Sequence, residues 1–151
     1  MAAQVDFYVL AQADPLARLR FCARLLPKIL SQQPRCTILV GNATDAETLD
    51  AALWEQIPES FLPHVVVTED ETTADGEILE PITIRIGNPA PTAGVCINLH
   101  AEVPAQHADL NRVVEIVCQD PVILSTTREK YRFYRQLGYP LQSHSITTEA
   151  L

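Results

Sequence analysis

The sequence predicts an α/β fold, a single domain with a mainly parallel, doubly wound sheet flanked by helices. Three observations carry this. Apolar, β-rich runs at residues 5–10 (VDFYVL) and 36–40 (CTILV) alternate with two helical patterns. The resulting β-α-β-α order favours a parallel sheet with right-handed crossovers. Later, RVVEIVC (112–118) runs straight into another helical stretch, repeating the strand–helix unit. The chain's 151 residues are enough for one proper core, with no internal repeat or low-complexity tract to suggest an array.

Each element has a local reason. After the first strand, Asp14 suits an N-cap and Pro15 the first helical position. Leu16, Leu19, Ala23 and Leu26 then recur at helical spacing, with Arg18, Arg20, Arg24 and Lys28 on the remaining arc. Pro27 argues for a kink or an early end. The second strand closes on the turn Gly41-Asn42, and Thr44 or Asp45 is expected to cap a helix over 46–56. The Pro-punctuated stretch 57–64 (IPESFLPH) reads as a loop, and 65–67 as a short strand. Residues 69–80 hold six acids and one glycine, and read as a solvated loop. Residues 82–86 alternate like a half-exposed strand, 88–94 (NPAPTAG) form a turn, and 95–99 another apolar strand. A short helix is expected over 104–110. Leu141 to Ile146 supply a last strand, and the final residues fray. The core spans about residues 5–146.

Composition narrows the function. Nineteen acidic residues against eleven basic ones leave a net charge of −8. Broad nucleic-acid binding is disfavoured, so little direct contact with nucleic acid is expected. The N-terminal MAAQVDFYVL lacks a basic segment followed by a long apolar run, so no signal peptide is expected. No apolar run approaches membrane-spanning length. Cys22, Cys36, Cys96 and Cys118 lie in apolar contexts at wide spacing. They read as buried free thiols in a reducing cytoplasm.

The usual catalytic equipment is lacking. The first strand–helix join, AQADP, has no glycine with which to wrap a phosphate. The second, GNATD, has one glycine, no lysine and nearby acids. The fold is therefore expected to be Rossmann-like without a phosphate-binding loop. No GxSxG, HExxH or CxxC occurs, so no catalytic residue, metal site or cofactor is expected. A nucleotide-binding enzyme or sensor is the alternative, and the missing phosphate loop counts against it. An enzyme-like sheet without enzyme-like loops points to a binding module.

The stretch 121–139, PVILSTTREKYRFYRQLGY, says most about what is bound. Asp120, Pro121 and Gly138 punctuate it as a helix. Arg128, Arg132 and Arg135 fall in a stripe roughly 60° wide. Ile123, Thr126, Phe133 and Leu137 fall opposite, on the expected core face, where Lys130 would have to snorkel to solvent. Most basic helix faces are simply solvated. Here Tyr131 flanks the stripe in an otherwise acidic chain, which favours a site for an acidic peptide or a terminal carboxylate. Tyr131 would wall an apolar pocket for an aromatic anchor. The alternative of arginine–tyrosine stacking on single-stranded DNA is opposed by the overall charge. Trp54 and Phe61, with Pro63 between Phe61 and His64, form a second group. It reads either as cover for the sheet edge or as an interface anchor.

Three blocks, VDFYVL, ALWEQIPESFLPH and TREKYRFYRQLGY, occur in this order with matching strand–helix spacing. On them the chain resembles the chi subunit family of bacterial DNA polymerase III holoenzyme, a clamp-loader accessory subunit, over residues 5 to 146. The resemblance implies a chi-like doubly wound domain without catalysis of its own, in a holoenzyme with DNA-directed DNA polymerase activity. It implies two partners for DNA replication, the psi subunit and the acidic, Phe-ended C-terminal tail of single-stranded-DNA-binding protein. Matched residue by residue, Arg128, Tyr131, Arg132 and Gly138, with Val117 and Trp54, correspond to the tail-binding region, and Arg135 extends its charge. Phe61, Pro63 and His64 correspond to the loop facing psi, a surface for which a helicase would compete. Where some relatives have a lysine, this chain has Leu124.

Overall fold

A computed structural model describes residues 4–33, 35–56, 64–67, 82–87, 94–104, 107 and 110–146. The expected loops at 57–63, 69–80 and 88–93, including Phe61 and Pro63, lie outside the described residues, as does most of the short helix expected over 104–110.

Among the described residues, seven strands form one sheet: β1 (Gln4–Leu10), β2 (Cys36–Val40), β3 (His64–Val67), β4 (Ile82–Ile86), β5 (Val95–Asn98), β6 (Arg112–Val117) and β7 (Leu141–Ile146). Their order is β3-β4-β2-β5-β6-β1-β7, and every pairing is parallel. Helices α1 (Leu16–Gln32) and α2 (Ala43–Gln56) pack on one face, and α3 (Pro121–Gln136) on the other. Strand alternation sorts the two cores. Tyr8, Leu10, Ile38, Val40, Ile97, Val114 and Ile116 meet α1 and α2, while Val5, Phe7, Cys96, Val113 and Val117 meet α3.

Helix α1 starts as its sequence requires. The Asp14 carboxylate accepts the Leu16 backbone N–H at 3.0 Å, and Ala17 N donates to Asp14 O. Three details differ from expectation. Leu16 is exposed, and Phe21, Cys22, Leu25 and Ile29 join Leu19, Ala23 and Leu26 in the core. Pro27 ends nothing: its ring sits on the solvent side, and buried residues either side hold the helix to Gln32. Arg18 does not face solvent. Its guanidinium donates to Ile116 O at 2.8 Å and Leu99 O at 3.1 Å, carbonyls at the carboxyl ends of β6 and β5.

Helix α2 begins three residues early because its cap is Asn42 rather than Thr44 or Asp45. The Asn42 side-chain oxygen accepts Asp45 N–H at 2.8 Å, and its backbone oxygen accepts Ala46 N–H. All four cysteines are free and buried. Burial pushes the Cys36 thiol up to about 12, and raises Cys22 and Cys96 well above the ordinary value. No helix of the described residues is long and apolar enough to cross a membrane.

Candidate functional site

Both ends of α3 follow from local sequence. The Asp120 carboxylate accepts the N–H groups of Val122 (3.1 Å) and Ile123 (3.2 Å), with Pro121 at the first position. At the other end, Tyr139 N donates to Tyr134 O and Gly138 N to Arg135 O, both at 3.1 Å. This is the paired termination that needs a left-handed residue, and Gly138 supplies it with φ +81°.

The underside of α3 is not the apolar face expected. Tyr134 is fully buried and Lys130 nearly so, whereas Phe133 and Leu137 are exposed. The reason lies in β6, whose mid-strand Glu115 points at α3 and is 1% exposed. Lys130 Nζ donates to Glu115 Oε1 at 2.7 Å and to His100 O at 3.0 Å. Tyr134 OH donates to Glu115 Oε2 at 2.8 Å, and Asn98 Nδ2 donates to the same oxygen at 2.9 Å. The helix therefore turns toward a buried carboxylate. Burial, then the Glu115 charge and hydrogen bond, keep the Tyr134 phenol far above the ordinary tyrosine value, so it stays a donor. Helical and strand periodicity alone do not reveal Glu115, Asn98 and Tyr134 as positioning residues. The available signal was a lone acid inside RVVEIVC, together with a lysine on the supposed apolar face of the next helix.

Rotating α3 onto this network turns the arginine stripe straight outward. Arg128, Arg132 and Arg135 are all exposed. Two aromatic flanks border them. On the β1 side, Tyr131 is partly exposed and its ring lies 5.5 Å from Phe7. Leu124 is half-buried and packs against the same core. On the β5 side, Phe133 meets the His107 ring edge-on at 5.3 Å. His107 also bonds the Tyr139 hydroxyl. Beside Phe133 a hollow of about 250 Å³ is lined by Ala101, Glu102, Val103, Thr126, Glu129 and Lys130.

The expected tail-binding residues are thus only partly brought together. Arg128, Tyr131, Arg132 and Arg135 share one outward surface. Val117 is buried beneath the start of α3, while Gly138 lies past its end, roughly 24 Å away for sixteen helical residues. A single pocket cannot use both. Trp54 is 54% exposed on α2, in the layer on the opposite face of the sheet. His64 opens β3, the edge strand farthest from α3 in the sheet order.

The DNA polymerase III chi subunit family model matches residues 2–142. The chain belongs to this family. Among chi-family relatives, DNA polymerase III subunit chi of Pseudomonas aeruginosa is 35% identical over 144 residues, covering 95% of this chain and 96% of the relative. The Haemophilus influenzae subunit chi is 23% identical over 151 residues, covering 97% and 99%. Solved structures resemble the chi-family chain in fold alone. The C-terminal domain of Saccharomyces cerevisiae Dbp5 bound to Gle1 and IP6 has a TM-score of 0.65 at 10% identity, covering 99% of this chain and 92% of that one. Domain 2 of the DEAD-box helicase Mss116p has a TM-score of 0.64 at 12% identity, covering 95% and 66%.

Proposed function

We propose that this chi-family chain is a non-catalytic accessory subunit of the DNA polymerase III clamp-loader complex. It bridges the psi subunit to the acidic, Phe-ended C-terminal tail of single-stranded-DNA-binding protein. The observation that carries the reading is the outward stripe of Arg128, Arg132 and Arg135 in a chain of net charge −8, bordered by the partly exposed Tyr131.

An extended peptide advances about 3.3 Å per residue, so some seven residues follow α3 from end to end. A tail laid along the helix reaches the Leu124 end and the Gly138 end without requiring one pocket to include both. Its carboxylates pair with the arginine forks, and its aromatic end packs against Tyr131. With Leu124 in place of a cation, the charge falls to the three arginines. Each charge-assisted hydrogen bond contributes about 1.5–3 kcal/mol, and the exposed setting makes the interaction salt-sensitive. Phe61, Pro63 and His64 form the psi side of the bridge.

Fluorescence anisotropy with a labelled acidic peptide ending in a free Phe carboxylate tests the tail contact. Arg128→Ala is expected to weaken binding roughly tenfold, the equivalent of one such bond. Equal affinity for wild type and variant, or no binding by either, rejects the proposal. Co-purification from the native cells tests the bridge: both psi and single-stranded-DNA-binding protein are expected.

A further inference from the structure

Helix α3 has two faces fit to meet the sheet. At about 100° per residue, Ile123, Lys130 and Tyr134 fall within roughly 40° of one another, and so do Thr126, Phe133 and Leu137. The two faces are centred roughly 60° apart. Apolar burial alone favours the second, which carries Phe133 and Leu137 where the first carries Lys130. Space for it exists as well, because Phe133 already borders the hollow of about 250 Å³ walled by Ala101, Val103 and Thr126. Yet the first face is the buried one, and Phe133 and Leu137 stay 39% and 51% exposed. Glu115 holds it there, taking Lys130 Nζ at 2.7 Å and the Tyr134 hydroxyl at 2.8 Å. Stability alone does not call for a carboxylate at this place, since apolar groups of similar volume often replace a buried ion pair at no cost.

The choice of face does not decide whether the arginines are exposed. Arg128, Arg132 and Arg135 lie on the solvent side of the helix in either setting. It decides which aromatic stands beside them. With Lys130 and Tyr134 down, Tyr131 lies roughly 80° from the buried direction. There its ring rests against Phe7 at 5.5 Å, part of the core on that side. With Phe133 and Leu137 down, Tyr131 stands roughly 140° from the buried direction, lifted off Phe7 into solvent. Phe133 then leaves the His107 ring it now meets edge-on at 5.3 Å. A ring without backing loses its packing on one side and makes a poor wall for an apolar anchor.

We propose that Glu115, Lys130 and Tyr134 are positioning residues for peptide recognition. The buried carboxylate fixes the roll of α3 at the setting in which Tyr131, backed by Phe7, stands beside the arginine stripe. This rests on the tail-binding reading of α3 and adds what makes that surface competent. The three residues act through Tyr131 and the arginines, from beneath the helix.

The test uses the full chain carrying Glu115→Leu with Lys130→Met. This change removes both charges, strands the Tyr134 hydroxyl, and makes the arc from position 130 to Phe133 and Leu137 apolar. Nuclear Overhauser contacts between the Phe7 and Tyr131 rings, measured without peptide, report the roll. They are expected to vanish, together with those between Phe133 and His107, while the urea midpoint is retained. Affinity for an acidic peptide ending in a free Phe carboxylate is expected to fall roughly tenfold. Adding Phe133→Gln takes the apolar anchor from the second face, and is expected to restore both the Phe7–Tyr131 contact and the affinity. Glu115→Gln with Lys130→Met changes volume little and guards against misfolding of the first variant. Its amide oxygen still accepts the Tyr134 hydroxyl, so the same losses are expected at smaller size. Folded variants that keep the Phe7–Tyr131 contact overturn the proposal. So does a roll that leaves affinity at the wild-type level. Absence of binding by the wild type rejects the tail reading and the recognition role together, whereas the ring contacts, read without peptide, still decide the roll.

Discussion

Lys130 and Glu115 show how one buried charge decides which way a helix faces. The Lys130 side chain is 5% exposed and that of Glu115 1%, at 2.7 Å, with Tyr134, Asn98 and the His100 carbonyl completing the network. Desolvating both ions offsets much of their attraction, so the pair adds little net stability. Removing one partner is another matter. Lys130→Met leaves Glu115 buried and uncompensated, and is expected to cost about 3–5 kcal/mol in urea unfolding. Lys130→Met combined with Glu115→Gln is expected to cost less than the two single changes summed, because the second removes the stranded charge. The network was illegible in part because it is a long-range pairing. Helical periodicity places Lys130 beside Phe133 and Leu137, and only the position of β6 reveals that a carboxylate waits beneath it.

The two ends of α3 are legible in its sequence, and its buried face is not. Caps depend on neighbours in sequence, and Asp120, Pro121 and Gly138 perform as their residue types demand. Which face is buried depends on the sheet, and there Tyr134 displaced Phe133. The same division holds for α1. Asp14 was legible, whereas the burial of Arg18 was not, because its partners are carbonyls of β5 and β6. Helix α2 shows the local limit: Asn42, half of a Gly-Asn turn in the sequence pattern, serves as the cap. The Asp120 cap gives a direct check on α3. Asp120→Ala removes the acceptor for two helix N–H groups and is expected to cost about 1 kcal/mol, read as a lower urea midpoint with unchanged slope.

For the whole molecule, the parallel doubly wound sheet was foreseeable because strand–helix alternation constrains topology strongly. The arginine stripe was foreseeable because it needs only helical geometry. That Trp54 lies across the sheet from Arg128 was not, since layer assignment follows from strand order. One polar cluster spans three strands. Asp6 of β1 receives Arg112 of β6 at 2.7 Å and His144 of β7 at 3.3 Å. Burial alone would raise the Asp6 carboxyl. Hydrogen bonds from Arg112, Gln4 and His144 outweigh it and hold the group below its ordinary 3.8. A carboxyl depressed in the folded state contributes stability above the unfolded value and loses it as pH falls through the folded one. Stability is therefore expected to decline as pH drops below about 4. Asp6→Asn is expected to flatten that part of the curve, as measured by urea midpoints across acidic pH.

The position of β1 has a consequence for how the molecule is made. Its neighbours are β6 and β7, so Gln4 waits for Arg112 and Val5 waits for Leu141. Of the seven strands, β1 is made first and is among the last to be enclosed. Bacterial-type synthesis proceeds at about 5–20 residues per second, which leaves the apolar run VDFYVL without its sheet partners for roughly 5–20 s. During that interval its two open edges depend on whatever shelters nascent chains. Strand β7, made last of the seven, closes over the strand made first.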